Sequence, residues 1–287
     1  MKGIVLAGGN GTRLHPLTLS VSKQLMPIYD KPMIYYPLST RIAAGIHEIL
    51  IISTPEDLPL FERLLGDGSQ WGCAFSYAEQ AEPKGLAEAF IIGESFIGES
   101  SVALILGDNL FHGGKLSEQL AALDKIDGGH IFAYQVKDPE RYGVVAFDTK
   151  NRIISLEEKP EQPKSSFAVP GIYFYDNTVV QKAKNLRPSK RGELEITDIN
   201  KSYLAEQMLR LTPLEVGSAW LDTGTIESLM EASQYVQALQ SRQGVLVGSP
   251  EVAAYTSKAI SLEQLLEIAN KMTYTPYGEA IKSLATR

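Results

Sequence analysis

Residues 3–14 read Gly3-Ile4-Val5-Leu6-Ala7-Gly8-Gly9-Asn10-Gly11-Thr12-Arg13-Leu14. Residues 4–7 are wholly apolar, the pattern of a short strand buried on both faces of a parallel sheet. The glycines that follow end the run in a turn. A second apolar run, Val102–Leu106, stops in the same manner, in Gly107-Asp108-Asn109. Between the two, residues 35–44 read as a helix and Glu48–Ser53 as another buried strand. Thr54-Pro55-Glu56-Asp57 has the form of a helix start, with a Thr cap, Pro at the first position and acids in the first turn. Residues 75–77 read as a strand and residues 85–92 as a helix. Strand and helix thus alternate through the first hundred residues, which predicts a doubly wound parallel sheet. Such sheets bind ligands beyond the carboxyl ends of their strands. The turns at 8–11 and 107–109 are therefore predicted to meet at one site.

The middle of the chain changes character. Residues 131–136, 143–147, 153–156 and 169–175 are short β-like runs without long helices between them, and they predict an antiparallel addition to the sheet. Helices are predicted to return at 177–185 and 196–207. Beyond Thr225, the residues Ile226, Leu229, Met230, Ser233 and Val236 fall on one helical face. From Gly244 onward the chain reads as helical. Ser249-Pro250 marks one start, and Ser261 with Gln264 forms a capping box before Leu262, Leu265, Leu266 and Ala269. The expected division is an α/β unit over residues 1–240, its halves meeting near 125/126, and a C-terminal helical appendage over 241–287.

The composition suits a globular chain with a sizeable core: 287 residues, 44% hydrophobic and 21% charged. A net charge of −7 argues against nucleic acid or an anionic membrane as partner, since both need a broad basic face. Three or four placed cations would still suffice for a small anionic substrate. The single cysteine, Cys73, allows no internal disulfide and reads as a small core residue. No apolar run approaches the roughly 20 residues that span a bilayer, and the first residues meet glycine too soon for a signal peptide. A soluble, cytoplasmic protein without membrane contact is expected.

The glycine turn can serve phosphate, because glycine lets backbone N–H groups approach closely, or it can be a tight turn only. Two common phosphate motifs do not fit. A P-loop needs Lys followed by Ser or Thr after the last glycine, and here Thr12-Arg13 follows. The dinucleotide fingerprint needs Gly or Ala at its sixth position and an acid ending the next strand, where Leu14 and Ser53 stand. Arg13 and Lys23, in the loop that follows, could grip a triphosphate through charged hydrogen bonds worth about 1.5–3 kcal/mol each, or could be solvated surface charge. His15, His47, His112 and His130 show no ligand spacing, which argues against a transition metal.

The ordered set Leu6-Ala7-Gly8-Gly9, Gly11-Thr12-Arg13-Leu14, Pro16-Leu17-Thr18, Lys23 and Pro27 resembles the signature of the sugar-nucleotide pyrophosphorylases, which are nucleotidyltransferases. The run from Ser22 through Pro27-Ile28-Tyr29-Asp30-Lys31-Pro32 to Leu38 is narrower and resembles their glucose-1-phosphate thymidylyltransferase branch. The likeness continues through residues 102–109, 156–160, 169–173, 191–197 and 219–225, essentially the whole chain. It implies a Rossmann-like α/β fold, with a mixed, mainly parallel sheet flanked by helices and an antiparallel sugar-binding addition. The implied reaction joins dTTP to glucose 1-phosphate, as the first step toward dTDP-rhamnose-type deoxysugars. Gly8, Gly11, Thr12, Arg13, Lys23, Gln24, Gln80, Gly85 and Asp108 would bind the nucleotide, with Gln80 and Gly85 at the thymine edge. Asn109, Tyr142, Gly143, Glu158, Lys159 and Val169 would hold the sugar phosphate. Arg13, Lys23 and Lys159 would be the catalytic cations. Asp108 and Asp222 would hold Mg²⁺, although by its sequence position alone Asp222 reads better as a helix cap. The resemblance further implies a homotetramer with dTDP-rhamnose as feedback inhibitor at a second site.

Two other readings compete. A uridylyltransferase on the same fold differs only in the base it accepts. A non-catalytic nucleotide-sensing module would not require two aspartates and three cations together.

Overall fold

The computed structural model describes residues 1–9, 11–123 and 125–285. Ten strands form one mixed sheet. Its parallel half runs in space Ala74–Glu79, Glu48–Ser53, Lys2–Leu6, Val102–Leu106. Ile172–Tyr175 then pairs antiparallel with Val102–Leu106. Beyond it lie Gly129–Gln135, Phe167–Ala168, Gly143–Phe147 and Ile153–Glu158, joined by antiparallel ladders. Leu209–Pro213 runs parallel against Gly129–Gln135. The predicted parallel sheet with an antiparallel addition is thus one continuous surface.

Successive residues of a strand face opposite sides, so the central strands feed two cores. Val5, Ile49, Ile51, Ala103 and Ile105 pack on one side, against the helix Tyr35–Ala43 and the C-terminal helices. Ile4, Leu50, Ile52, Val102 and Leu104 pack on the other, against Glu88–Ile92, Val179–Lys184 and Ile196–Ala205. This double burial is why those strands read as unbroken apolar runs. Cys73 is buried and unpaired, and burial pushes its thiol up to about 12, in keeping with a core role.

Several elements differ from the sequence reading. The helix after Glu48–Ser53 is Leu58–Leu65, not one starting at Thr54. Thr54 closes a turn, accepting from Asp57 N on its Oγ1 at 3.3 Å. The predicted helix 85–92 is regular only over Glu88–Ile92. Gly85 takes φ +105° to let the backbone pass Leu194, whose carbonyl oxygen would lie 2.5 Å from a Cβ there. The run 169–175 is broken by Pro170, which has no N–H for the ladder, so Ile172–Tyr175 forms a separate strand. The long helix Ile226–Gln243 buries Leu229, Ala232 and Val236 and leaves Ile226 and Met230 exposed. In Leu262–Lys271, Leu265 and Ala269 are buried within this chain while Leu262 is exposed. The apolar stripe there is therefore only partly open to another subunit. Among the described residues no helix is long and apolar enough to cross a membrane.

One core position works against stability. Arg41, on Tyr35–Ala43, is fully buried. Among the described residues its three guanidinium nitrogens have no hydrogen-bond partner. The Phe174 ring lies 5.2 Å from its guanidinium carbon. Burial lowers its pKa to about 9, so it is still charged at neutral pH. Replacing a buried ion pair by apolar side chains of similar volume is often neutral or stabilising by about 1–4 kcal/mol, and a lone buried charge has no partner to offset its desolvation. Arg41→Met is accordingly expected to raise the melting temperature by a few degrees. A lowered melting temperature in calorimetry at pH 7.5 would show that the guanidinium is well paired in solution.

Candidate active site

The carboxyl ends of Lys2–Leu6 and Val102–Leu106 are adjacent in the sheet, with Gly107 N donating to Leu6 O at 2.9 Å. That contact places the two predicted turns side by side at the base of a cleft of about 620 Å³. All the residues singled out from the sequence line this cleft: Gly8, Gly11, Thr12, Arg13, Lys23, Gln24, Gln80, Gly85, Asp108, Asn109, Tyr142, Gly143, Glu158, Lys159, Val169 and Asp222.

Around the glycine turn the walls are tightly tied. A Cβ on Gly8 would come within 2.7 Å of Gln80 Oε1, so a side chain there would displace that amide. Gln24 is buried, donating from Nε2 to Gly8 O at 3.3 Å and accepting from Ser22 Oγ at 2.7 Å. Its amide therefore shapes the turn. The same 3₁₀ turn, Lys23–Leu25, aims Lys23 at Asp108 Oδ2, with which it forms an ion pair.

The two aspartates are brought together by a ladder that the sequence does not announce. Asn109–His112 pairs antiparallel with Ala219–Asp222, setting Asp222 opposite Asn109. Thr223 Oγ1 then donates to Asp108 O at 2.8 Å. Asp222 ends a strand, and the helix cap is Thr225, whose Oγ1 accepts from Ser228 N at 3.2 Å. The capping alternative for Asp222 is thereby excluded. Arg13 reaches the same corner: an ideal Cβ on Gly224 would lie 3.2 Å from Asp222 Oδ2 and 3.4 Å from Arg13 Nη1.

The carboxyls differ in charge preference. Burial works to raise the Asp108 pKa, but the Lys23 ammonium and hydrogen bonds from Lys23 and Asn109 outweigh it, and the group lies below the usual range. Asp222 is pushed up to about 6, first by burial and then by the negative charge of Asp108. A divalent cation between them would relieve that repulsion. Two carboxylates with phosphate oxygens and water are a donor set that suits Mg²⁺. Among the described residues no three His, Cys, Asp or Glu converge on one point, so phosphate oxygens and water would complete the coordination.

The antiparallel addition supplies the opposite wall. The Gly143–Phe147 and Ile153–Glu158 strands pair with Gly143 opposite Glu158. Val169 N donates to Gly143 O at 2.8 Å. Lys159 holds φ +42°, an uncommon conformation for a residue with a side chain, while its N–H donates to Tyr142 O at 3.0 Å. Lys159 is exposed to the cleft mouth, and neither it nor Arg13 forms an ion pair among the described residues. Glu158 accepts from Thr197 Oγ1 at 2.5 Å and faces Arg191 Nη2 at 3.5 Å. Asn109 is almost fully engaged: its Oδ1 accepts from Trp220 Nε1 at 2.6 Å and Gly171 N at 3.2 Å, and its Nδ2 donates to Asp108 Oδ1 at 2.8 Å.

Among the cleft residues to which sequence reasoning gave no role are Arg141, Arg191, Thr197 and Trp220. Arg191 is tied to Glu195 at 2.8 Å and Glu193 at 3.4 Å. Arg191 and Thr197 lie in the run 191–197 and Trp220 in 219–225. An arginine amid glutamates in a glycine-broken loop was the available signal for a placed cation.

The sequence matches the Nucleotidyl transferase family over residues 2–238. It is 54% identical to a Mycolicibacterium smegmatis glucose-1-phosphate thymidylyltransferase over 287 residues, the whole of both chains. It is also 54% identical to the Neisseria meningitidis protein of that name, over 99% of each. Among solved structures, a Bacillus anthracis chain described as a glucose-1-phosphate thymidylyltransferase in complex with sucrose superposes with a TM-score of 0.76. It is 40% identical, covering 82% of this chain and 94% of that one. A UDP-glucose pyrophosphorylase complexed with UDP-glucose gives a TM-score of 0.70 at 25% identity, over 83% and 98%. With full-length likeness of this degree, and the cleft built as described, the chain belongs to the nucleotidyl transferase family and, within it, to the glucose-1-phosphate thymidylyltransferases.

Proposed function

We propose that the protein transfers the thymidylyl group of dTTP to glucose 1-phosphate, giving dTDP-glucose and pyrophosphate reversibly. The observation that carries this reading is the convergence of Arg13, Lys23, Asp108, Asp222, Glu158 and Lys159 on one cleft in a chain of this family. The sugar phosphate is already an anionic nucleophile. One of its oxygens bonds to the α-phosphorus of dTTP as the bond to pyrophosphate breaks in line, so catalysis is positioning and charge stabilisation. Arg13 and Lys23 stabilise the departing pyrophosphate. Lys159 orients the attacking phosphate and Glu158 accepts hydrogen bonds from the sugar, in a pocket formed by Asn109, Tyr142, Gly143 and Val169. Gly8, Gly11, Thr12 and Gln24 shape the triphosphate seat, while Gln80 and Gly85 meet the thymine edge. Asp108 and Asp222 would hold Mg²⁺, which neutralises phosphate charge when bound.

The protein serves, in this reading, as a cytoplasmic homotetramer at the head of dTDP-rhamnose-type synthesis. Residues 1–240 carry the chemistry and 241–287 a helical appendage, and dTDP-rhamnose inhibits at a second site.

Purified protein with dTTP, glucose 1-phosphate and Mg²⁺ is expected to release pyrophosphate and form dTDP-glucose, with UTP and dATP as parallel arms and EDTA stopping the reaction. Absence of pyrophosphate above background would end this reading. Higher turnover with UTP would move the protein to uridylyl transfer. Light scattering on the same preparation is expected to give a tetramer, and a monomer would remove the assembly proposal.

A further inference from the structure

At the base-facing wall, Gln80 follows the Ala74–Glu79 strand and is 4% exposed. Its backbone N–H extends the ladder, donating to Ser53 O at 2.7 Å. Its side chain makes one hydrogen bond among the described residues, from Nε2 to Glu88 Oε2 at 2.7 Å. The amide oxygen points to the other side, against Gly8, where both residues line the cleft. Glu88 is itself well placed. It opens the Glu88–Ile92 helix, just after the Gly85 turn, which is stapled by Leu194 N to Lys84 O at 2.7 Å and Ala87 N to Leu194 O at 3.2 Å.

An ionised carboxylate accepts hydrogen bonds and cannot donate them, whereas a glutamine amide can turn over and exchange its donor and acceptor ends. With a carboxylate at 2.7 Å, only one orientation of Gln80 is allowed. The NH₂ must face Glu88, and the oxygen must face the cleft. The reversed amide would set two acceptors against each other.

We propose that Glu88 is a positioning residue that sets the base preference of the site by locking the Gln80 amide. This rests on the reading of Gln80 as the group that meets the base edge. The locked oxygen accepts from the N3–H of thymine or uracil, while the second N–H of Gln80 is available to a ring carbonyl. Cytosine offers an unprotonated N3 at that point and an amino group beside it. It therefore meets acceptor with acceptor and donor with donor. Without the carboxylate the amide can turn, and both mismatches become hydrogen bonds. Rejection of a base by leaving buried polar groups unpaired is the strong form of discrimination.

The test is equilibrium binding of dTTP and dCTP to the wild-type full-length protein, Glu88→Gln and Glu88→Ala, each with Mg²⁺ and with melting temperatures recorded. The wild type is expected to favour dTTP over dCTP by about 100-fold or more. In Glu88→Gln the neighbouring amide can itself turn, and the preference is expected to fall at least tenfold, chiefly because dCTP binds more tightly. Glu88→Ala should lower the preference similarly. A merely structural role would weaken both nucleotides together and leave the ratio unchanged. An unchanged ratio in both variants overturns the proposal, as does a wild type that binds the two equally. The assay separates this from the reaction itself. A wild type that prefers dTTP but transfers nothing to glucose 1-phosphate overturns the thymidylyl-transfer reading and leaves the role of Glu88 standing.

Discussion

Asp222→Asn is expected to lower kcat by at least about 10³ and yet to raise the melting temperature of the protein in EDTA. The loss of turnover follows if Asp222 is one of two carboxylates holding the cation, because the amide removes a full ligand charge. The gain in stability follows from its electrostatics without metal. Its carboxyl titrates at about 6 in the folded chain, against an ordinary value of 3.8, through burial and then the charge of Asp108. The folded state therefore holds this proton more tightly than the unfolded state. Stability is gained as pH falls from about 6 toward 4, and the penalty of a buried ionised group is fully present above 6. That penalty is on the order of 1–3 kcal/mol, about 2 °C per kcal/mol for a chain of this size. Asparagine removes it. The gain should be seen at pH 7.5 and should vanish below about pH 4, where Asp222 is protonated in both states. Asp108→Asn should lose turnover equally and behave oppositely in stability. The Asp108 pKa is depressed, so its contribution is present above the ordinary carboxyl range and is lost on acidification. Its removal also strands Lys23, which is largely buried. Calorimetry of both variants with and without Mg²⁺ checks the pair. If Asp222→Asn melts lower than wild type at pH 7.5 in EDTA, the two carboxyls do not repel as described.

The parts of this site that could be read in advance are those with local signatures. The strands at 2–6, 48–53 and 102–106 announce themselves because each is buried on both faces, and their glycine ends mark where a ligand can approach. The approach of Asp222 to Asp108 had no such signal. It depends on a four-residue ladder between segments far apart in the chain, and locally Leu221-Asp222-Thr223-Gly224 has the look of a helix entrance. Leu209–Pro213 was equally silent: only Leu211 within it is buried, and it ends in proline. Of the residues that periodicity puts on one face of Ile226–Gln243, Leu229 and Val236 are buried while Ile226 and Met230 are exposed. Helical periodicity finds an apolar stripe but does not say which side meets the core, and Ala232, a residue of little hydrophobic weight, lies at its centre. The Gln80–Glu88 contact joins a strand end to a helix start across an irregular turn, and periodicity carries no information about such a pairing. Full-length resemblance supplied expected roles that local pattern could not, because local pattern carries no information about which distant segments meet.

The cations of the cleft should separate kinetically. Arg13→Ala is expected to lower kcat by about 10²–10³ with dTTP, while changing KM for glucose 1-phosphate by less than about threefold. Arg13 stands at the glycine turn, beside Asp222 and Gly224, in the part of the cleft where the proposed reading seats the nucleotide. Charge on the leaving pyrophosphate grows only as the bond to the α-phosphorus breaks. A guanidinium placed there therefore stabilises the transition state more than the bound substrate, and its removal appears in kcat. The magnitude is that of losing one oriented donor to a developing anion. Lys159 stands on the opposite wall, its backbone held at φ +42° and anchored to Tyr142 O. Its expected partner, the phosphate of glucose 1-phosphate, carries charge before reaction begins. Lys159→Ala should therefore raise KM for glucose 1-phosphate by about tenfold as well as slow chemistry, since the phosphate is both bound less well and aimed less well. The two profiles are read from initial rates with each substrate varied in turn at saturating partner. An Arg13→Ala enzyme altered only in KM for glucose 1-phosphate would mean that the roles of the two walls are exchanged. Lys23 differs from both, because its ammonium already pairs with Asp108. Its removal takes away the cation beside Asp108, a proposed metal ligand, as well as a proposed contact to pyrophosphate. Lys23→Ala should accordingly shift the Mg²⁺ dependence of turnover, which Arg13→Ala should leave in place.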